Sequence, residues 1–89
     1  MQNQQETIFE FPCKFPIKIM ANPKKGVEEL VLETLNKHVE NPEKIEFTVR
    51  ESKTGKFVSI TALFTATSKE QLNTLYEIFS KNPEVHMVL

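Results

Sequence analysis

Apolar residues recur along the chain with two periods, and the places where one gives way to the other mark out the elements. The longest β-prone run is Lys56 to Ala66, in which Val58, Ile60, Ala62 and Phe64 alternate with Phe57, Ser59, Thr61, Leu63 and Thr65. A strand sends these two sets to opposite faces. Edge strands usually carry a charge or a proline that discourages further pairing, and this run has neither after Lys56. It therefore reads as a central strand, and the other elements can be placed around it.

Lys14 to Met20 is the first strand, with Phe15, Ile17 and Ile19 on one face and Lys18 and Met20 on the other. Ahead of it, the short Ile8–Pro12 segment reads as an extension lying on the body of the domain, because Pro12 cannot donate a ladder hydrogen bond. Ala21 to Gly26 is a loop feeding a helix, with Asn22 the expected cap and Pro23 tolerated in the first turn. Val27, Leu30, Val31 and Leu35 then recur at helical spacing to about Val39 as a buried stripe, Glu33 four residues before Lys37 gives an exposed pair, and Asn41-Pro42 stops the helix. Ile45 to Glu51 alternates again. Ser52-Lys53-Thr54-Gly55 supplies a glycine where a hairpin loop commonly needs positive φ. Ser68-Lys69-Glu70-Gln71 has the form of a capping box, and Leu72, Leu75, Tyr76 and Phe79 continue as the buried stripe of a second helix. After Asn82-Pro83, Val85 to Leu89 forms the last strand.

The order is β-α-β-β-α-β in about 76 residues, the pattern of the ferredoxin-like split βαβ motif. The expected class is α+β, a four-stranded antiparallel sheet with both helices on one face and the first and third strands at its centre. Strict alternation assigns Phe15, Ile17, Ile19, Ile45, Phe47, Val49, Val58, Ile60, Ala62, Phe64, Val85, Met87 and Leu89 to the helix side. The open face then keeps Lys18, Met20, Glu46, Thr48, Arg50, Phe57, Ser59, Thr61, Leu63, His86 and Val88. Met20, Phe57, Leu63 and Val88 form its apolar component, and with His86 they are the candidate interaction surface.

Eighty-nine residues, 39% hydrophobic and 26% charged, give one small domain over residues 8–89, with residues 1–7 a polar, mobile tail. A formal net charge of -1 provides no field that would draw in nucleic acid. No stretch approaches the roughly 20 apolar residues of a membrane span, and the amino end lacks a secretory signal, so a cytoplasmic location is expected. The lone Cys13 can make neither an internal disulfide nor a CxxC pair.

Phe9-Glu10-Phe11-Pro12, Lys18-Ile19-Met20, Val58-Ser59-Ile60-Thr61, Gln71, Leu75-Tyr76 and the closing His86-Met87-Val88-Leu89 resemble the YbeD family of small bacterial proteins over about residues 8 to 89. Two positions depart from the family's pattern: Ala21 stands where relatives commonly have glycine, and His86 where they have arginine. The resemblance implies a fold similar to the ACT-type domains that bind amino acids and regulate metabolic enzymes, hence a regulatory role. It also implies that the loop after the first strand helps line an effector pocket at a subunit interface.

Within that frame, Asn22, Lys24, Lys25 and Gly26 are the candidate ligand-binding residues. Free N–H groups at the helix head, the helix dipole and two lysines favour a small anionic metabolite. The loop is not a P-loop, since the glycine spacing and the following hydroxyl are missing.

Other chemistries of this topology fare worse. Acylphosphatase-type catalysis resembles an arginine in a glycine-rich turn before the first helix, and the only arginine is Arg50. Metal chaperones want two cysteines in the first loop. RNA-recognition modules need several rings on the open face of the central strands, where Phe57 is alone. His38 suits the carbonyl end of the first helix, and His38, His86 and Cys13 have no metal-ligand spacing.

The expectation is therefore a non-enzymatic regulatory module without metal or cofactor, with a homodimer or a metabolic enzyme as its partner. The alternative is a protein-interaction adaptor using the open sheet face.

Overall fold

The computed structural model describes residues 10–89. The tail expected over residues 1–7 lies outside the described residues. Strand β1 (Cys13–Ala21) is followed by helix α1 (Val27–His38), a short 3-10 turn (Pro42–Lys44), β2 (Glu46–Glu51), β3 (Val58–Ala66), helix α2 (Lys69–Ser80) and β4 (Val85–Val88). The strands form one antiparallel sheet in the order β2-β3-β1-β4. This is the ferredoxin-like arrangement, with β3 and β1 central as the uncharged run implied.

The core is made where period two meets period 3.6. Ile17, Ile19 and Ala21 of β1 and Val58, Ile60, Ala62, Phe64 and Ala66 of β3 are buried with Val27, Val31 and Leu35 of α1 and Leu72, Leu75 and Phe79 of α2. Both helices therefore lie on one face of the sheet. Of the Ile8–Pro12 extension, Phe11 packs against this core, and Ile8 and Phe9 lie outside the described residues. Phe47 and Val49 of β2 point to the same side, but Val49 is 36% exposed because it lies on an edge strand at the margin of the helical layer.

Three local features depart from the sequence reading. Asn22 does not cap α1: the cap position is Gly26, at φ 92, with no side-chain hydrogen bond. The chain reaches the helix through tight turns, Lys24 N–H to Asn22 O at 2.8 Å and Val27 N–H to Lys24 O at 3.1 Å, and the left-handed backbone at Gly26 is one that side chains strongly disfavour.

The capping box of α2 is also modified. Ser68 Oγ accepts from Gln71 N–H at 3.0 Å as expected, but Gln71 Oε1 accepts from Thr67 N–H at 2.8 Å, one residue before the cap. Its amide nitrogen donates to His38 O at 2.7 Å, so one side chain serves the start of α2 and the end of α1.

The largest departure is in β4. Ala21 pairs with Val85, but Met20 pairs with Met87 and Ile19 with Val88, leaving His86 as the extra residue of a β-bulge. The bulge shifts the alternation by one position. Val88 turns to the helix side against the core, while Met87 is 49% and Leu89 59% exposed. The expected places of Met87, Leu89 and Val88 are thus reversed.

Candidate functional site

Because β1 and β4 are antiparallel neighbours, the loop leaving β1 meets the loop entering β4. Asn22 N–H donates to Glu84 O at 2.9 Å, and the Asn22 side-chain Nδ2 donates to Glu84 Oε1 at 2.9 Å. Lys24 Nζ donates to Glu84 Oε2 at 3.3 Å, so both carboxylate oxygens are engaged. The Asn22 amide first, and the Lys24 ammonium second, hold the Glu84 carboxyl below the ordinary glutamate value; this outweighs its partial desolvation, and the charges of Lys24 and His86 act in the same direction. Asn22 gives its NH₂ end to Glu84, so its Oδ1 accepts from His86 Nε2 at 2.6 Å. The His86 and Phe57 rings are in T-shaped contact, with centroids 5.3 Å apart and planes at 90°. Asn22, Lys24, Phe57, Glu84 and His86 thus form a latch across the end of the sheet.

The latch changes the expected anion site. Asn22 and Lys24 are already committed to Glu84, and Gly26 serves as the backbone cap, which leaves Lys25 as the lysine of this loop without an ion pair among the described residues. Beside Lys25 an open groove of about 350 Å³ runs between the head of α1 and the base of the β2–β3 hairpin. Its charged lining is Lys24 and Lys25 with Glu28, Glu29 and Glu51, and the largely buried Val58 contributes apolar surface. The formal charges, two positive against three negative, make this a mixed wall rather than a purely cationic one.

The open sheet face divides into two halves. Near β4, Met20 pairs with Met87, and Leu89 exchanges two backbone hydrogen bonds with Lys18, giving an apolar strip. Toward β2, Lys18, Thr48, Arg50, Ser59 and Thr61 line a shallow concavity of about 270 Å³. Leu63 is half-buried in the row beyond, and Phe57, 37% exposed, is occupied by His86. Val88 does not belong to this face.

The profile of the family described as "Protein of unknown function (DUF493)" matches residues 6–89. The chain belongs to the DUF493 family. Its relatives carry the name UPF0250 protein, and the YbeD resemblance falls within this group. The Chromobacterium violaceum relative is 36% identical over 89 residues, spanning 100% of both chains, and that of Nitrosomonas europaea is 35% identical over 85 residues, 96% of this chain and 98% of the relative. The solution structure of protein HP0495 from Helicobacter pylori superimposes with a TM-score of 0.63 at 19% identity, covering 91% of this chain and 85% of that one. That likeness establishes the shared fold of this DUF493 chain.

Among the described residues, no group of three or more His, Cys, Asp or Glu side chains could hold a metal ion, and no helix is long and apolar enough to cross a membrane. Cys13 is a half-buried free thiol at the start of β1, and His38 ends α1.

Sequence reasoning missed Glu84, the centre of the latch. The signal was topological: once β1 and β4 are neighbours, the residue preceding β4 must lie beside the residue following β1. It also placed Lys18 and Arg50 on the open face without recognising that the register brings them around Ser59 and Thr61.

Proposed function

We propose that this DUF493 protein is a non-enzymatic, ligand-responsive regulatory module of the cytosol, whose effector is a free amino acid held in the groove beside α1. The supporting observation is the mixed lining of that groove. An α-amino acid presents an ammonium and a carboxylate a few ångströms apart, and Lys25 opposed by Glu28, Glu29 and Glu51 offers a partner to each. A simple dianion would meet three carboxylates there. The reading keeps the ACT-like role implied by family resemblance and replaces its anionic metabolite with a zwitterion.

The test is thermal unfolding against a panel of amino acids, with succinate and citrate as the purely anionic comparison. Ligand at 100 times Kd adds about 2.7 kcal/mol, and each kcal/mol moves a domain of this size by about 4–8 °C. A saturable rise with one class of amino acid, absent with the dicarboxylates and lost in Lys25→Glu and Glu51→Gln, is expected. A rise with succinate equal to that with every amino acid would sink the zwitterion reading.

A second reading is favoured by one observation, the exposed Met20–Met87 pair with Leu89 beside it. Adaptable methionines suit a contact surface, here for a second copy or a metabolic enzyme. Sedimentation of the parent chain and of Met87→Glu tests self-pairing: the parent forms a dimer that the substitution dissociates, whereas equal masses would remove this surface from a homodimer.

A further inference from the structure

We propose that the open face of the sheet carries a second binding site, for the phosphoryl group of a small metabolite, formed by Lys18, Thr48, Arg50, Ser59 and Thr61. The pairing register creates it. Thr61 stands between Lys18 on β1 and Thr48 on β2, and Ser59, two residues earlier on β3, pairs with Arg50. Two hydroxyls therefore sit about 7 Å apart along the central strand, with a cation rising from the neighbouring strand on each side. The same five residues line the concavity of about 270 Å³.

The lining consists of hydrogen-bond donors and has no carboxylate. The open-face carboxylate on β2 is Glu46, which pairs with Leu63 in the row beyond Thr61. Neither Lys18 nor Arg50 forms an ion pair among the described residues. Two unpaired like charges around a neutral strand contribute nothing attractive to the fold, and an anion between them converts repulsion into two attractions.

The donor set selects the kind of anion. A guanidinium fork, an ammonium and rotatable hydroxyls exceed what the two oxygens of a carboxylate can use, but they suit the three terminal oxygens and the nearly double charge of a phosphomonoester. Met20 and Leu63 flank the site and give the organic part of such a ligand an apolar shoulder. A polynucleotide is disfavoured because the net charge is -1 and the Phe57 ring, which could stack a base, is already in T-shaped contact with His86.

The experiment is a titration of the ¹⁵N-labelled chain with inorganic phosphate, O-phosphoserine and serine, at ionic strength held constant with chloride. Saturable amide shifts confined to these five residues and their neighbours are expected, with O-phosphoserine binding at least about tenfold tighter here than serine. Lys18→Gln and Arg50→Gln should each weaken it by about tenfold, the size expected when one charged donor is lost. Both side chains are exposed, so the folded spectrum is retained. The groove beside α1 lies away from this face, and its own amides report serine binding there separately. The proposal fails if the open-face shifts do not saturate, if acetate reproduces them, if both substitutions leave them unchanged, or if a short single-stranded oligonucleotide binds this face more tightly than O-phosphoserine.

Discussion

Ile60 lies in β3 between Ile19 on β1 and Val49 on β2, and it is wholly buried while Val49 is 36% exposed. The same apolar face therefore gives two different mutational costs. Ile60→Ala removes side-chain volume from beneath the helices and should cost about 2–5 kcal/mol in urea denaturation, whereas Val49→Ala should cost about 1 kcal/mol or less. Equal losses would mean that the helices cover β2 as fully as β3. Glu84 gives the second prediction at this scale. Its folded pKa is depressed, so its contribution to stability is fully present above the unfolded value near 4.3 and is lost as pH falls through the folded value. Glu84→Gln should melt below the parent at pH 7, and the gap should close progressively once the pH drops under about 4.3. A gap that stays constant down to pH 2.5 would show that the latch holds without the charge. The alternation that places Ile60 inside was legible in the sequence, since it is a property of one strand. The ionic character of Glu84 was not, since it depends on Asn22 and Lys24, 62 and 60 positions away.

Among the elements, β3 and α2 follow their sequence patterns, α1 does so except at Leu30, expected in its buried stripe but 39% exposed, and β4 does not. In β3 the apolar set alternates without interruption and neighbouring strands on both sides hold it in register, so its orientation can be read directly. The pattern Val85-His86-Met87-Val88-Leu89 is compatible with either face inward, and tertiary pairing decides it. The latch fixes the start of β4 through Asn22 and Glu84, the Lys18–Leu89 hydrogen bonds fix its end, and the bulge at His86 accommodates the extra residue between them. The Met87 and Val88 side chains test this arrangement. Met87→Lys should change stability by no more than about 0.5 kcal/mol, while Val88→Asp places a carboxylate against the core and should cost about 1–3 kcal/mol or more in the same denaturation assay. The opposite ranking would restore unbroken alternation and remove the bulge. The cap of α1 was misread for a related reason: Asn22 has the chemistry of a helix cap, but β4 claims its side chain before the helix begins.

On the scale of the whole molecule, the fold was legible because period, order and turn chemistry all pointed to the same topology. The candidate sites were legible only as lists of residues, since the groove and the open-face concavity are made by register and helix placement. The same topology leaves two sheet edges, and the molecule protects each differently. β4 is four residues long and bulged, which breaks a continuous pairing edge. β2 is a regular six-residue strand, and its protection is charge: Glu46 and Arg50 on the open face, and Glu51 on the helix-side face opposite Val58. An inward-facing charge on an edge strand makes addition of another strand costly, because continuing the sheet and its covering layer would desolvate it. Replacing both glutamates by threonine leaves Arg50, on the open face, as the one charge in β2, beside the β-prone stretch Phe47, Thr48 and Val49 with its outer backbone groups available. The double variant Glu46→Thr/Glu51→Thr should therefore gain concentration-dependent association in light scattering beyond that of the parent, with little change in midpoint at low concentration. If its mass matches the parent at every concentration, these two carboxylates are not what guards the edge, and Arg50 or the shape of the strand limits pairing along β2.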